Sequence, residues 1–366
     1  MRVGIMLRHL GEKGGIVTYT KNILKSFLRL APEHHFALFY ASAEHLGSYA
    51  GPNLSEHLLP ASGKFAWDHW AVPRLAAALD LDLIFNPKLS VPLWAKQPRV
   101  LVLRPEQFVH PELFKPLDRA YFKTFMPLYC RAAARILAPT ATAAQDIVRY
   151  VGSDPTKTVW VHEGCGDHFF APDPGPQALA EVRQRYGLPE RYVLFVGGIT
   201  PLKNFERLVE AFARVHERHH LPLVVVGFNR WRFENDLAFA QGHRASPHIL
   251  FPGFVADSDM PQVYRLASCL FFPSIYEGFG IPVPEAFATG CPVITSNRGC
   301  SPEVAGGGAH LVDPFDIEDM ARGLDLVLTD QGYRQELIAR GRQRAPHFQF
   351  DRCARQTLEV FEQILH

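Results

Sequence analysis

The 366-residue chain lacks several of the signatures that most directly betray a function. Its six cysteines, at 130, 165, 269, 291, 300 and 353, form no CxxC pair and no metal-ligand rhythm, so they read as buried thiols of a reducing compartment. No apolar run approaches the ~20 residues that span a bilayer. The opening MRVGIMLRHLGEKGG is interrupted too early for a signal peptide. These features point to a cytoplasmic protein, with at most peripheral contact at the inner face of a membrane. Charge of one sign is also missing: 38 Lys and Arg stand against 37 Asp and Glu, which argues against long-range attraction to nucleic acid. No GxGxxG follows a strand-like run, no P-loop is present and no GxSxG occurs, so dehydrogenase, P-loop NTPase and serine-hydrolase chemistry each lack their fingerprint.

What the chain does have is 47% hydrophobic and 20% charged residues, the balance of a globular protein, and a length suited to two domains of ~150 residues. Short apolar runs alternate with helical periods. Val3–Leu7, Phe36–Tyr40, Leu81–Phe85, Val100–Leu103 and Ile136–Ala138 predict buried strands, and so do Tyr192–Val196, Leu223–Val226, Leu270–Phe272 and Val293–Thr295. Such alternation implies βαβ units and parallel sheets with covered faces. The run Ala171-Pro172-Asp173-Pro174-Gly175-Pro176 breaks both periods and reads as a linker. The expected organisation is a first domain over 1–170, a linker over 171–190, a second domain over 191–350, and a final helix over 351–366 returning towards the first. Two doubly wound domains of this kind would face each other across a cleft bordered by the carboxyl ends of their strands. The stretch Arg119–Arg135, aromatic and basic by turns, predicts a buried helix interrupted by Pro127, with a membrane-surface helix as the alternative.

The stretch EGFGIPVPEAFATG carries the chemistry. Glu277 follows a strand, and Gly278-Phe279-Gly280 exposes backbone amides to which a ligand oxygen can come close. Pro284 suits the first turn of a helix, Glu285 lies in that turn and Gly290 closes it. The loop offers amide donors for an anion and two carboxylates for hydroxyl groups, the demands of a sugar nucleotide. Lys203, before the helical run Phe205–Val215, sits where a helix N-terminus and an ammonium together make an anion site. A solvated turn lysine and a glutamate that merely complements a helix dipole are the plain alternatives.

The run FFPSIYEGFGIPVPEAFATGCPVITSNRGCSPEV resembles the signature region of the retaining family-4 glycosyltransferases of the GT-B fold, whose hallmark is two glutamates separated by seven residues, here Glu277 and Glu285. KGGIVTYTKNIL (13–24), APTATAAQDIVRYVG (138–152), FVGGITPLKNFERLVEAF (195–212), FPGFVADSDMPQVYRLASCLFFPS (251–274) and AHLVDPFDIEDMARGL (309–324) resemble other segments of that family in order and spacing. The resemblance implies an α/β protein of two Rossmann-like domains and a hexosyltransferase acting with retention. Its donor would be a nucleotide-diphosphate sugar, its acceptor a saccharide or lipid-linked hydroxyl, and no bound metal or other cofactor is implied. It assigns Glu277 to hydroxyls of the donor sugar and Glu285 to those of the ribose. The amides of Gly278, Phe279 and Gly280 would face the sugar and diphosphate, Lys203 would neutralise the leaving diphosphate, Gly15 would let the N-terminal loop approach the phosphates, and Phe254 and Val255 would lie near the base.

Two departures matter. Gly198 stands where the family commonly has an arginine, as in members resembling mannosyltransferases of polysaccharide pathways, and this tilts the donor towards GDP-mannose. Arg104, with Pro105 and Glu106, replaces a common His-Asp pair, so Arg104 is expected to supply charge that Gly198 does not or to contact the acceptor. Asp257-Ser258-Asp259 matches the Asp-x-Asp of metal-dependent glycosyltransferases, but its position before Met260–Ala267 makes these residues ordinary N-caps. An epimerase or phosphorylase on the same architecture, and a non-catalytic subunit that retains the fold, remain the alternatives.

Overall fold

The computed structural model describes residues 1–12, 14–227 and 233–366, so Lys13 of the N-terminal glycine segment lies outside the described residues. The chain divides into two compact units, Met1–Gly164 with Gln349–His366, and Cys165–Phe348.

The first unit is a seven-stranded parallel sheet of β1 (Arg2–Met6), β2 (His35–Tyr40), β3 (Leu54–Leu58), β4 (Leu83–Asn86), β5 (Arg99–Val102), β6 (Arg135–Ala138) and β7 (Thr158–Trp160) in the order β3-β2-β1-β4-β5-β6-β7. Registers such as Val3↔Phe36 and Val3↔Leu83 place β1 between β2 and β4. The central strands are buried on both faces, which is why they read as continuous apolar runs. The two edge strands escaped that signal. Leu54–Leu58 (LSEHL) and Thr158–Trp160 (TVW) are short, partly polar and half in solvent, as edges are. Asn53 is buried at the entry to β3, where its Nδ2 donates to Ala31 O at 3.1 Å.

The final helix, Phe350–Leu365, is part of this unit. Its apolar face, including Cys353, Ala354, Leu358 and Phe361, packs on the helix Gly15–Leu30 and the sheet, with the Phe361 ring 5.2 Å from Phe85 and 5.9 Å from Phe27. Asp351 accepts a hydrogen bond from Ser26 Oγ at 2.9 Å and pairs with Arg29. The helix Pro116–Ala132 buries Met126, Tyr129 and Cys130, and Pro127 lies within it.

The second unit is a six-stranded parallel sheet of β8 (Val193–Val196), β9 (Leu223–Val226), β10 (Ile249–Leu250), β11 (Cys269–Phe272), β12 (Val293–Ser296) and β13 (Ala309–Val312) in the order β10-β9-β8-β11-β12-β13. The segment 171–190, expected as a linker, packs within this unit instead. Its helix Pro176–Tyr186 is tied down where Arg185 and Tyr186 donate to Asp259 Oδ2 at 2.6 and 2.7 Å. The change of unit falls at Gly164, where a Cβ would come within 2.7 Å of the Phe350 backbone nitrogen. The prolines and glycine of 172–176 instead mark a turn onto the helix Pro176–Tyr186, because both suit a helix start as well as a linker.

At the carboxyl ends of β8 and β9 two backbones touch. A Cβ on Gly227 would lie 2.0 Å from the Gly197 carbonyl oxygen, so nothing larger than hydrogen fits. Gly227→Ala is therefore expected to lower stability by ~1–3 kcal/mol. A thermal unfolding temperature equal to that of the parent would contradict the contact.

Candidate active site

In both sheets the strand order reverses beside the first strand of the unit: between β1 and β4, and between β8 and β11. The crevice outside the carboxyl ends of two such strands is where open α/β sheets take ligands. The loops leaving β8 and β11 carry Lys203 and Glu277, and the structure brings them together.

Lys203 ends the short turn Pro201–Lys203, and its Nζ donates to Glu277 Oε1 at 2.5 Å while lying 4.7 Å from the centroid of the Phe272 ring. Both partners are partly buried. This contact is set by the residue after the lysine. Asn204 adopts a left-handed backbone with φ 59, a conformation that asparagine tolerates better than other side chains. It is buried, and its Nδ2 donates to Pro273 O at 3.1 Å and Pro314 O at 2.6 Å. The amide of Ile275 donates to Leu202 O at 2.8 Å, and Thr295 Oγ1 donates to Phe272 O at 3.0 Å. The Asn204 side chain and the Ile275 amide thus fasten the loops after β8, β11 and β13 to one another, and Thr295 ties β12 to the end of β11. Gly280 (φ 82) lets the Glu277 loop turn, and Gly299 (φ 56), in the loop after β12, packs against it, since a Cβ there would come within 3.3 Å of Glu277 O.

Glu285 stands on the helix Pro282–Thr289, which Gly290 ends in a left-handed C-cap. Tyr264 OH donates to Glu285 Oε2 at 2.6 Å. Although part of this side chain reaches solvent, the protein packed around it desolvates the carboxyl and pushes its pKa up to about 8, aided by the charge of Asp257 and opposed by the tyrosine hydrogen bond. Asp257 therefore lies near enough to act on Glu285, and with it the loop carrying Phe254 and Val255. Phe254 is 85% exposed, whereas Val255 is buried. The Phe279 side chain belongs to the core, its ring edge-on to Phe348 at 5.7 Å. Gly278 and Gly280 flank it in the loop, and Gly198 lies in the loop after β8 that leads to Lys203.

The remaining expected residues lie in the first unit. Gly15 opens the helix Gly15–Leu30 after Gly14, whose φ is 117. Arg104 is held in a nearly buried ion pair with Glu163 and lies 5.1 Å from the centroid of the Tyr19 ring. Burial pushes the Glu163 carboxyl up and Arg104 pulls it back down. The guanidinium is thus paired within its own unit, with Glu163 and the face of Tyr19.

Asp259 is the N-cap residue of the helix Met260–Leu266, but it makes no capping bond, because Arg185 and Tyr186 occupy its carboxylate. His216 and His220 have HExxH spacing around Glu217, which on a continuous helix would set two imidazoles on one face. Here the helix is only His216–His219, His220 turns left-handed with φ 50, and His216 stacks on Phe212 and His248. Among the described residues no three His, Cys, Asp or Glu side chains converge as a metal set.

Two features were not legible beforehand. Tyr264 and Asn204 act through hydrogen bonds to residues far away in sequence, and only the asparagine left a trace, in its preference for left-handed backbone. The other feature is a cavity of about 410 Å³ at the ends of β1 and β4, lined by Arg8, His9, Trp67, Asp68, Ser90 and Tyr121 among others. Buried Asp68 accepts from Ser90 Oγ at 2.9 Å and faces Arg8 Nε at 3.4 Å. Burial first, then the charges of Lys88, Arg8 and Arg104, pushes the His9 pKa down to about 3, so the ring is neutral beside Thr20 Oγ1.

The chain is similar to known proteins in sequence and in fold. Residues 180–344 match the family described as glycosyl transferases group 1. The O-antigen chain mannosyltransferase B of Escherichia coli is 30% identical over 264 residues, covering 70% of this chain and 67% of that one. The serotype-specific mannosyltransferase WbdA of Escherichia coli is 28% identical over 68% of this chain, which spans only 31% of its length. Among solved structures, Anabaena Alr3699/HepE in complex with UDP and glucose superposes with a TM-score of 0.80 at 17% identity, covering 99% of this chain and 100% of that one. The last shows the likeness of fold.

The raised pKa of Glu285 has a consequence for stability. The protonated carboxyl's contribution is complete below its ordinary value of 4.5 and is lost as pH rises through about 8. Glu285→Gln should remove this loss, so its unfolding temperature should gain on that of the parent steadily from pH 5 to pH 8.5. A difference independent of pH in calorimetry would contradict the assignment.

Proposed function

The chain belongs to the glycosyl transferases group 1, and on that basis we propose that it moves a hexose, with retention, from a nucleotide-diphosphate sugar to a hydroxyl of a saccharide or lipid-linked acceptor. The observation that carries this reading is the contact of Lys203 with Glu277 at the strand reversal of the second sheet, with Glu285 on the next helix. An ammonium and a carboxylate in one crevice suit a ligand that is anionic at one end and polyhydroxylated at the other. The mannosyltransferase relatives, together with Gly198, favour a mannose-like sugar and GDP as the nucleotide, and O-antigen synthesis in one of them favours a polysaccharide pathway.

In this reading Glu277 accepts hydrogen bonds from hydroxyls of the donor sugar, and Glu285 accepts them from the ribose. Gly278, Phe279 and Gly280 present backbone to the sugar and diphosphate, and Phe254 and Val255 border the base. As the bond between the anomeric carbon and the phosphate oxygen breaks, Lys203 swings its charge from Glu277 to the departing diphosphate, a fixed cation in the place a metal would otherwise take. The acceptor oxygen attacks from the same face, bonds to the anomeric carbon, and gives its proton to the leaving phosphate oxygen. No enzyme nucleophile is required. The first unit's cavity, with Asp68 and Arg8 beside Trp67 and Tyr121, has the polar and aromatic lining that a saccharide end needs.

Thermal unfolding with GDP, UDP, ADP and dTDP in turn tests the donor. At 100 times its dissociation constant the correct nucleotide stabilises the protein by ~2.7 kcal/mol, and GDP is expected to act alone. Absence of a shift with all four would remove the donor site and favour a non-catalytic subunit. Glu277→Gln is expected to reduce transfer by roughly 10²–10³-fold, with a much smaller effect on unfolding temperature, and a chelator should leave transfer unchanged. Incubation with GDP-mannose and no acceptor should release neither an epimer nor a sugar phosphate. Either product would make the protein an epimerase or phosphorylase on the same architecture.

A further inference from the structure

Beside the cavity of the first unit, three aromatic side chains stand in solvent against one another. Phe65 is 51%, Trp94 54% and Trp70 61% exposed. The Phe65 and Trp70 rings each lie 5.9 Å from that of Trp94, and Phe65 and Trp94 both pack on the buried His69, so the group is a single patch on a firm base. The patch runs on to the cavity. Trp67 and Lys64, from the same segment, line it, and Lys64 Nζ lies 4.3 Å from the centroid of the Tyr121 ring on the helix Pro116–Ala132. At the start of that helix Leu117, also lining the cavity, is 85% exposed.

An exposed apolar patch of this kind calls for a partner. The charges around it indicate which. Exposed Lys64 and Lys96 flank the aromatics along the chain, and exposed Lys115 and Arg119 flank Leu117, with Glu112 and Asp118 as the acids of that neighbourhood. Tryptophan prefers the headgroup layer of a bilayer, where its ring is half in water, and basic side chains are drawn to an anionic leaflet. No helix among the described residues is long and apolar enough to cross a membrane, so such contact is made from one side only.

We propose that this face of the first unit docks on an anionic phospholipid surface, with Phe65, Trp70, Trp94 and Leu117 in the headgroup layer and the four cations above them. The cavity mouth, which shares Lys64 and Leu117 with the patch, then opens at the lipid surface. The docking stands independently of the donor assignment. If the proposed transfer is also correct, it selects a lipid-linked acceptor over a free saccharide.

Sedimentation with vesicles tests this directly. The protein is expected to bind vesicles of phosphatidylglycerol and phosphatidylethanolamine and to leave those of phosphatidylcholine alone in the supernatant. Trp70→Ser with Trp94→Ser should weaken that binding at least tenfold, and Lys64→Ala and Lys96→Ala by about fivefold each, the equivalent of ~1 kcal/mol per charge. The unfolding temperature should not change, since Trp70 and Trp94 are exposed. Vesicles with brominated acyl chains should quench the parent's fluorescence but not that of Trp70→Phe with Trp94→Phe, which still sediments. Failure of the parent to bind anionic vesicles overturns the proposal, and so do serine variants that bind like the parent. A dimer in sedimentation velocity that the serine variants dissolve, without vesicle binding, would assign the patch to a second copy of the chain.

Discussion

The site in the second unit depends on a side chain that takes no part in the chemistry proposed for it. Asn204 holds the turn after β8 in a left-handed conformation and binds carbonyls at the ends of β11 and β13. Without it, Lys203 would be a long flexible cation at the end of a loop, and the entropy of four rotatable bonds would oppose any fixed contact. With it, the lysine emerges at one place, and Glu277 on the neighbouring loop meets it. Because the pair is only partly buried, neither charge suffers full desolvation, and each remains available for exchange with a ligand.

The two units use the same geometric rule for different ends. In each sheet the reversal of strand order opens a crevice at the carboxyl ends of two neighbouring strands. In the second unit glycines and a short helix fill its rim, leaving backbone and carboxylates near the surface. In the first the rim is built of large aromatics and paired charges, and His9 beneath it is neutral because burial, and then the cations around it, disfavour a positive charge. Small residues suit close approach to phosphate, while aromatic walls suit the faces of sugars and apolar chains.

Much of this was legible before any coordinates. Strands such as Leu223–Val226 and Leu270–Phe272 declare themselves because both faces are buried, and the Glu277 loop because glycine, proline and carboxylate occur together for backbone reasons. Edge strands such as Leu54–Leu58 did not, since one buried face leaves half a signal. The proline-rich 171–176 misled because helix starts and linkers share those residues. Asp259 misled for another reason: its neighbours in sequence suggest a capping bond, but its carboxylate is taken by Arg185 and Tyr186, both remote in sequence, and the pairing of Arg104 with Glu163 was equally unreadable from spacing.

The sequence by itself determined the α/β alternation, the two parallel sheets and the family, because these follow from periodicity and from local backbone demands that residues a few positions apart must meet. Only the tertiary structure decided where the chain passes from one unit to the other, that Lys203 closes on Glu277, that Tyr264 supports Glu285, and that Phe65, Trp70 and Trp94 gather in solvent. These are contacts between segments brought together by strand order, and their strength depends on distance and desolvation, neither of which is written in the spacing of residues along the chain.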